Sequence, residues 1–91
     1  MNTTSVNYRV KARTRNEIYS QGSNCLSNLG DSIAWLNNRY NQAYQDSYNE
    51  DLIFEWDIIV GTENHFGGKL LLENGSFLEK ILRIDLSEFQ K

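Results

Sequence analysis

The sequence predicts an α+β domain in two layers, one helix packed across a four-stranded, largely antiparallel sheet. Three observations lead there. Residues 6–13 alternate strictly, with Val6, Tyr8, Val10 and Ala12 apolar and Asn7, Arg9, Lys11 and Arg13 polar, the period-two signature of a strand with one buried face. Leu26, Leu29, Ile33, Leu36, Tyr40 and Ala43 then follow at steps of three and four, which places them on one stripe of a helix. Period two returns at Leu52, Phe54, Trp56, Ile58 and Val60. The predicted order is β-α-β-β-β over a single domain, residues 1–91.

The first strand is expected over residues 6–15. Residues 15–22 lose the alternation and end in small polar side chains, so they read as a connection. The helix has two candidate N-caps, since Ser23 and Asp31 can each accept a bond from a free first-turn amide. Its end falls near Gln45, because Asp46, Glu50 and Asp51 are unfavourable beside the negative end of a helix dipole.

In residues 51–60 the even positions face inward and Ile53, Glu55, Asp57 and Ile59 face out. Residues 61–65 read as a hairpin loop, and residues 66–72 as a strand with Phe66, Gly68, Leu70 and Leu72 inward. The turn Glu73-Asn74-Gly75 suits two registers. A two-residue loop would bury Glu79, Arg83 and Asp85, whereas a three-residue loop with Gly75 left-handed buries Leu78, Leu82, Ile84 and Leu86. Register follows the face that is buried, so the three-residue turn is expected before a last strand at 76–86, with Lys80 reaching solvent from the inner side. This arrangement is similar to cystatin-like folds in shape. The cystatin Gln-x-Val-x-Gly hairpin corresponds here to Asp57-Ile58-Ile59-Val60-Gly61, so the likeness is one of fold and carries no inhibitory residues with it.

Ninety-one residues with one Cys, one His and no Pro leave room for one core and exclude a disulfide framework or a Cys/His zinc set. Met1–Asn7 has no apolar stretch of the signal-peptide kind, and no run approaches the roughly 20 apolar residues of a membrane span. The chain therefore reads as cytoplasmic, with no membrane partner. The net charge is −3. By position, residues 1–18 hold four cations and one anion (+3) and residues 19–91 five cations and eleven anions (−6).

Three surfaces stand out. Arg9, Lys11, Arg13 and Arg15 share one face of the first strand, suited to an acidic partner or nucleic acid; alternatively Glu55, Asp57, Glu79 and Asp85 neutralise them by cross-strand pairing. On the same outer face Ile53, Ile59, Leu71, Phe77 and Ile81 suggest an apolar patch for a partner or a second copy of the chain. Opposite the helix's core stripe, Asp31, Trp35, Asn38, Gln42 and Gln45 form an amide-rich ridge with few charges, a composition found at interface centres. The alternative is that Trp35 folds back over the sheet edge or over the connection at residues 15–22. Tyr40, Tyr44 and Tyr48 are better placed for the core than for base stacking.

Catalytic sets are thin. His65 sits in an expected loop without a nucleophile, and Gly67-Gly68-Lys69 lacks the spacing of a phosphate loop, its glycines reading as a strand bend or bulge. Cys25 reads as a buried thiol if the helix starts early. No cofactor or metal is implied. The expectation is a non-enzymatic protein-binding module, a regulator or inhibitor that contacts its partner through Trp35, Asn38, Gln42 and Gln45 or through Ile53, Ile59, Leu71 and Ile81. A nucleic-acid-binding protein using the basic strand is the alternative.

Overall fold

A computed structural model describes residues 3–46, 51–61, 64–75 and 77–81. The elements run β1 (Thr4–Ala12), β2 (Ile18–Leu26), α1 (Leu29–Asp46), β3 (Leu52–Val60), β4 (Asn64–Leu71) and α2 (Phe77–Ile81). The four strands form one sheet in the order β2-β1-β3-β4, every neighbouring pair antiparallel. The main helix α1 packs on one face, giving the expected α+β architecture with a four-stranded sheet.

Two segments differ from the sequence reading. Ile18–Leu26 is a strand, not a connection. Its inward positions, set by pairing with β1, are Ser20, Gly22, Asn24 and Leu26, so little apolar alternation marks it. Gly22 is small for a reason: a Cβ there would stand 2.9 Å from the Tyr8 ring. The second difference is at Phe77–Ile81, which is helical. Phe77 and Ile81 lie four residues apart, on one helical face, and are 0% and 1% exposed, whereas Leu78 is 43% exposed. Helical spacing buries the pair that strand parity places outside. The expected continuation to Leu86 lies outside the described residues.

Neither Ser23 nor Asp31 caps α1. Asn28 does, its side-chain oxygen accepting the Asp31 amide at 2.8 Å while its Nδ2 donates to the Asp31 carboxylate at 3.2 Å. Ser23 and Cys25 lie in β2 instead, and the Cys25 thiol is exposed. The turn at residues 73–75 does place Gly75 at positive φ, +124°, but it leads into α2. There Asn37 of α1 accepts the Leu78 amide at 2.8 Å, satisfying one of the free N–H groups of a helix start. Lys80 reaches Glu73 at 2.6 Å. β4 begins at Asn64 and so includes His65, which pairs in register with Ile59.

The core is largely aromatic. Phe54 stacks on Tyr8 at 5.4 Å and meets Tyr40 edge-on at 5.2 Å. Phe77 closes over Trp56 at 5.3 Å and Phe54 at 5.8 Å. Val6, Val10, Leu36, Leu52 and Ile58 fill the remainder of this layer. Offset and edge-to-face rings suit their quadrupoles and bury large areas, so the helices are held over the sheet by a few big contacts. The opposite face of the sheet carries no helix among the described residues.

Candidate functional site

The open face is built by period two and register. Reading across β2, β1, β3 and β4, its outward side chains fall into four rows: Ile18, Lys11, Ile53, Leu71; Gln21, Arg9, Glu55, Lys69; Ser23, Asn7, Asp57, Gly67; and Cys25, Ser5, Ile59, His65. The two middle rows line an open depression of about 730 Å³. Gly67 leaves room there for the Asp57 carboxylate, which would stand 2.9 Å from a Cβ at this position. At one end the outer row is apolar around a single cation. Ile18 is 47% exposed and Leu71 38%, with Tyr19 beside Ile18 at 44%.

The four cations of the first strand do not stay together. β1 ends at Ala12, where the Ala12 amide bonds to the Glu17 carbonyl and the Arg13 amide to the Asp51 carbonyl. Arg13 and Arg15 therefore leave the strand. Arg13 lies 3.9 Å from Asp51, and Arg15 pairs with Glu17 at 3.6 Å and donates to the Tyr19 hydroxyl at 2.7 Å. Arg9 and Lys11 remain on the open face.

Cross-strand neutralisation takes a different form from the expected one. Glu55 is in register with Arg9, yet it pairs with Lys69 on the other side at 3.4 Å. Asp57 is held by His65. Both carboxylates are thus engaged by β4, and among the described residues neither Arg9 nor Lys11 has an ion pair. Glu79 is in α2 and cannot reach this face, while Asp85 lies outside the described residues.

The apolar candidates divide. Ile53 and Ile59 are half-buried and Leu71 is exposed, all on the open face. Phe77 and Ile81 are core residues under α2, so Ile81 is not part of any surface. Sequence parity misses Ile18, Tyr19, Gln21 and Ser23 because β2 lacks the alternation that marks the other strands. The adjacent Ile18 and Tyr19, both favourable in strands, are the available signal.

The helix ridge is less open than its composition suggests. Trp35 is half-buried, meets Tyr8 edge-on at 5.6 Å and carries the Arg39 guanidinium 5.1 Å above its ring. It folds back over the β1 side of the sheet. Asn38, Gln42 and Gln45 stay exposed, with Gln42 bonded to Asp46 at 3.3 Å. Tyr40 is wholly buried and Tyr44 is 39% exposed; Tyr48 lies outside the described residues.

His65 is a strand residue, not a loop residue, exposed and engaged with Asp57. Gly68 and Gly67 sit in a ladder paired residue by residue with β3, so no bulge explains them; Gly68 accommodates the Trp56 indole. Among the described residues no group of three or more His, Cys, Asp or Glu could hold a metal ion, and no helix is long and apolar enough to cross a membrane. No protein-family model, curated protein or solved structure matches the chain.

Proposed function

We propose that the chain is a non-enzymatic protein-binding module that regulates or inhibits its partner by covering a surface with the open face of the sheet. One observation carries this reading: exposed Ile18 and Leu71 share a row with Lys11 and Ile53, next to an Arg9 whose in-register carboxylate, Glu55, is committed to Lys69. Apolar side chains rimmed by polar groups are characteristic of protein-binding surfaces. Cations without intramolecular ion pairs favour an acidic rim on the other protein and would speed encounter. The exposed amides Asn38, Gln42 and Gln45 on α1 make a secondary candidate surface.

Affinity capture with the folded chain as bait tests the assignment. Leu71→Asp and Arg9→Glu should each lose the partner retained by the wild type, with unchanged circular dichroism, while Gln42→Ala keeps it. Retention by both open-face variants would overturn the placement. The second reading, nucleic-acid binding, draws on Arg9 and Lys11 alone; it requires salt-sensitive retention on DNA or RNA that Lys11→Glu weakens. Glu55 and Asp57 in the same depression weigh against it.

A further inference from the structure

The two edges of the sheet are unlike. On β4 His65 and Lys69 stand on the edge strand, engaged with Asp57 and Glu55. On β2 the stretch Ser20-Gln21-Gly22-Ser23-Asn24-Cys25-Leu26 contains no charge and no proline. Edge strands ordinarily carry such groups because alternate N–H and C=O groups point away from the sheet and invite another strand. β2 carries two modest blunting devices: near its end the Asn24 side-chain oxygen accepts the Cys25 amide at 2.8 Å, a bond that must be released when another strand pairs there, and the other is at its beginning. The register with β1 slips so that Val10 pairs with Ser20 but Lys11 with Ile18, making Tyr19 the extra residue of a β-bulge. Beyond it, the residues from Ser20 to Leu26 keep an unbroken ladder with β1.

We infer that this edge pairs with the same edge of a second copy, antiparallel, about a two-fold axis at Ser23. The occupant is a second copy because the segment is complementary to itself. With Ser23 opposite Ser23, Gln21 faces Cys25, Gly22 faces Asn24 and Ser20 faces Leu26, so the whole stretch overlaps and no like charges meet. Paired residues share parity, so the axis stands perpendicular to the sheet and both α1 helices lie on the same face of one continuous sheet. The bulged Ile18–Tyr19 segments fall outside the paired stretch. Gly22 keeps the inner side of the seam flat, with the Tyr8 ring beneath it. The seam uses the β2 backbone edge, while Gln21, Ser23 and Cys25 also present side chains to the open face; self-association measured without a partner, and partner capture by the open-face variants, test the two readings separately.

Sedimentation of the full chain over a range of concentrations should show an association to twice the 10.6 kDa chain mass. Ser23→Lys, which sets two ammonium groups at the axis, should weaken that dimer by about tenfold or more while leaving the circular dichroism unchanged. Ser23→Cys in a Cys25→Ser background should form an interchain disulfide under mild oxidation, because opposed residues of an antiparallel pair stand roughly 5.5 Å apart at Cα, within disulfide reach. Tyr44→Cys in the same background, on exposed helix surface, should not. A chain that stays monomeric at millimolar concentration, a dimer unaffected by Ser23→Lys, or a Ser23→Cys dimer whose introduced thiol stays reduced would each overturn the inference.

Discussion

Gly68 lies opposite Trp56 across the β3–β4 ladder, where a Cβ on the glycine would stand 3.1 Å from the indole nitrogen. The indole cannot easily yield. It is 4% exposed and pinned on its other side by Phe77, whose ring meets it edge-on at 5.3 Å. Gly68→Ala should therefore cost about 1–2 kcal/mol, an overpacking penalty partly offset by the chain entropy that glycine loses in a strand. Denaturant unfolding followed by tryptophan fluorescence measures it, and a stability equal to or above wild type would show that the ring has room to move.

The helix cap gives a second test, at a position that the sequence leaves open between two other residues. Asn28 accepts the Asp31 amide at 2.8 Å, and the Ser32 hydroxyl donates to the Asn28 carbonyl at 3.0 Å. Asn28→Ala should lower stability by about 1 kcal/mol, whereas Ser23→Ala, far from the helix start, should leave the unfolding midpoint of the chain unchanged. Equal effects of the two substitutions would contradict this helix boundary.

These boundaries show what sequence pattern can and cannot reveal. β1, β3 and the core stripe of α1 are legible because each buries one face against large apolar partners, so Val6, Val10, Phe54, Trp56, Leu36 and Tyr40 recur at the proper period. β2 is not, because an edge strand owes its structure to backbone pairing with β1 and needs few apolar side chains. α2 escapes for the opposite reason: Phe77, Leu78, Ile81 and Leu82 fit either period in so short a run. The open face follows the same division. Parity places Ile53, Ile59, Leu71, Arg9 and Lys11 correctly, while the commitment of Glu55 to Lys69 and Asp57 to His65 depends on strand order, which no local pattern encodes.

Helix or strand at residues 77–81 can be decided by substitution. In the helix Phe77 and Ile81 are buried and Leu78 is exposed, so Phe77→Ala should cost about 3–5 kcal/mol as a large core truncation and Leu78→Asp less than about 0.5 kcal/mol as a surface change. A strand in the expected register would reverse the order of these two losses. Thermal or denaturant midpoints of the pair are sufficient to distinguish them.

The Tyr40 hydroxyl is the polar anchor of this corner. It donates to the Leu71 carbonyl at 3.0 Å and accepts the Glu73 amide at 3.2 Å, holding the exit of β4 against α1 just before the turn that leads to α2. Its ring is buried against Phe54 and Phe77. Tyr40→Phe keeps those ring contacts and removes only the hydroxyl, leaving the Glu73 amide and Leu71 carbonyl to find other partners. The expected loss is about 1–2 kcal/mol. Because the break is local, amide exchange at Glu73 should accelerate more than exchange at Val6 of β1, which is buried in the Ile58–Phe66 row toward the other end of the ladder. Uniform acceleration across the sheet would mean that the hydroxyl supports the global fold and not this corner in particular.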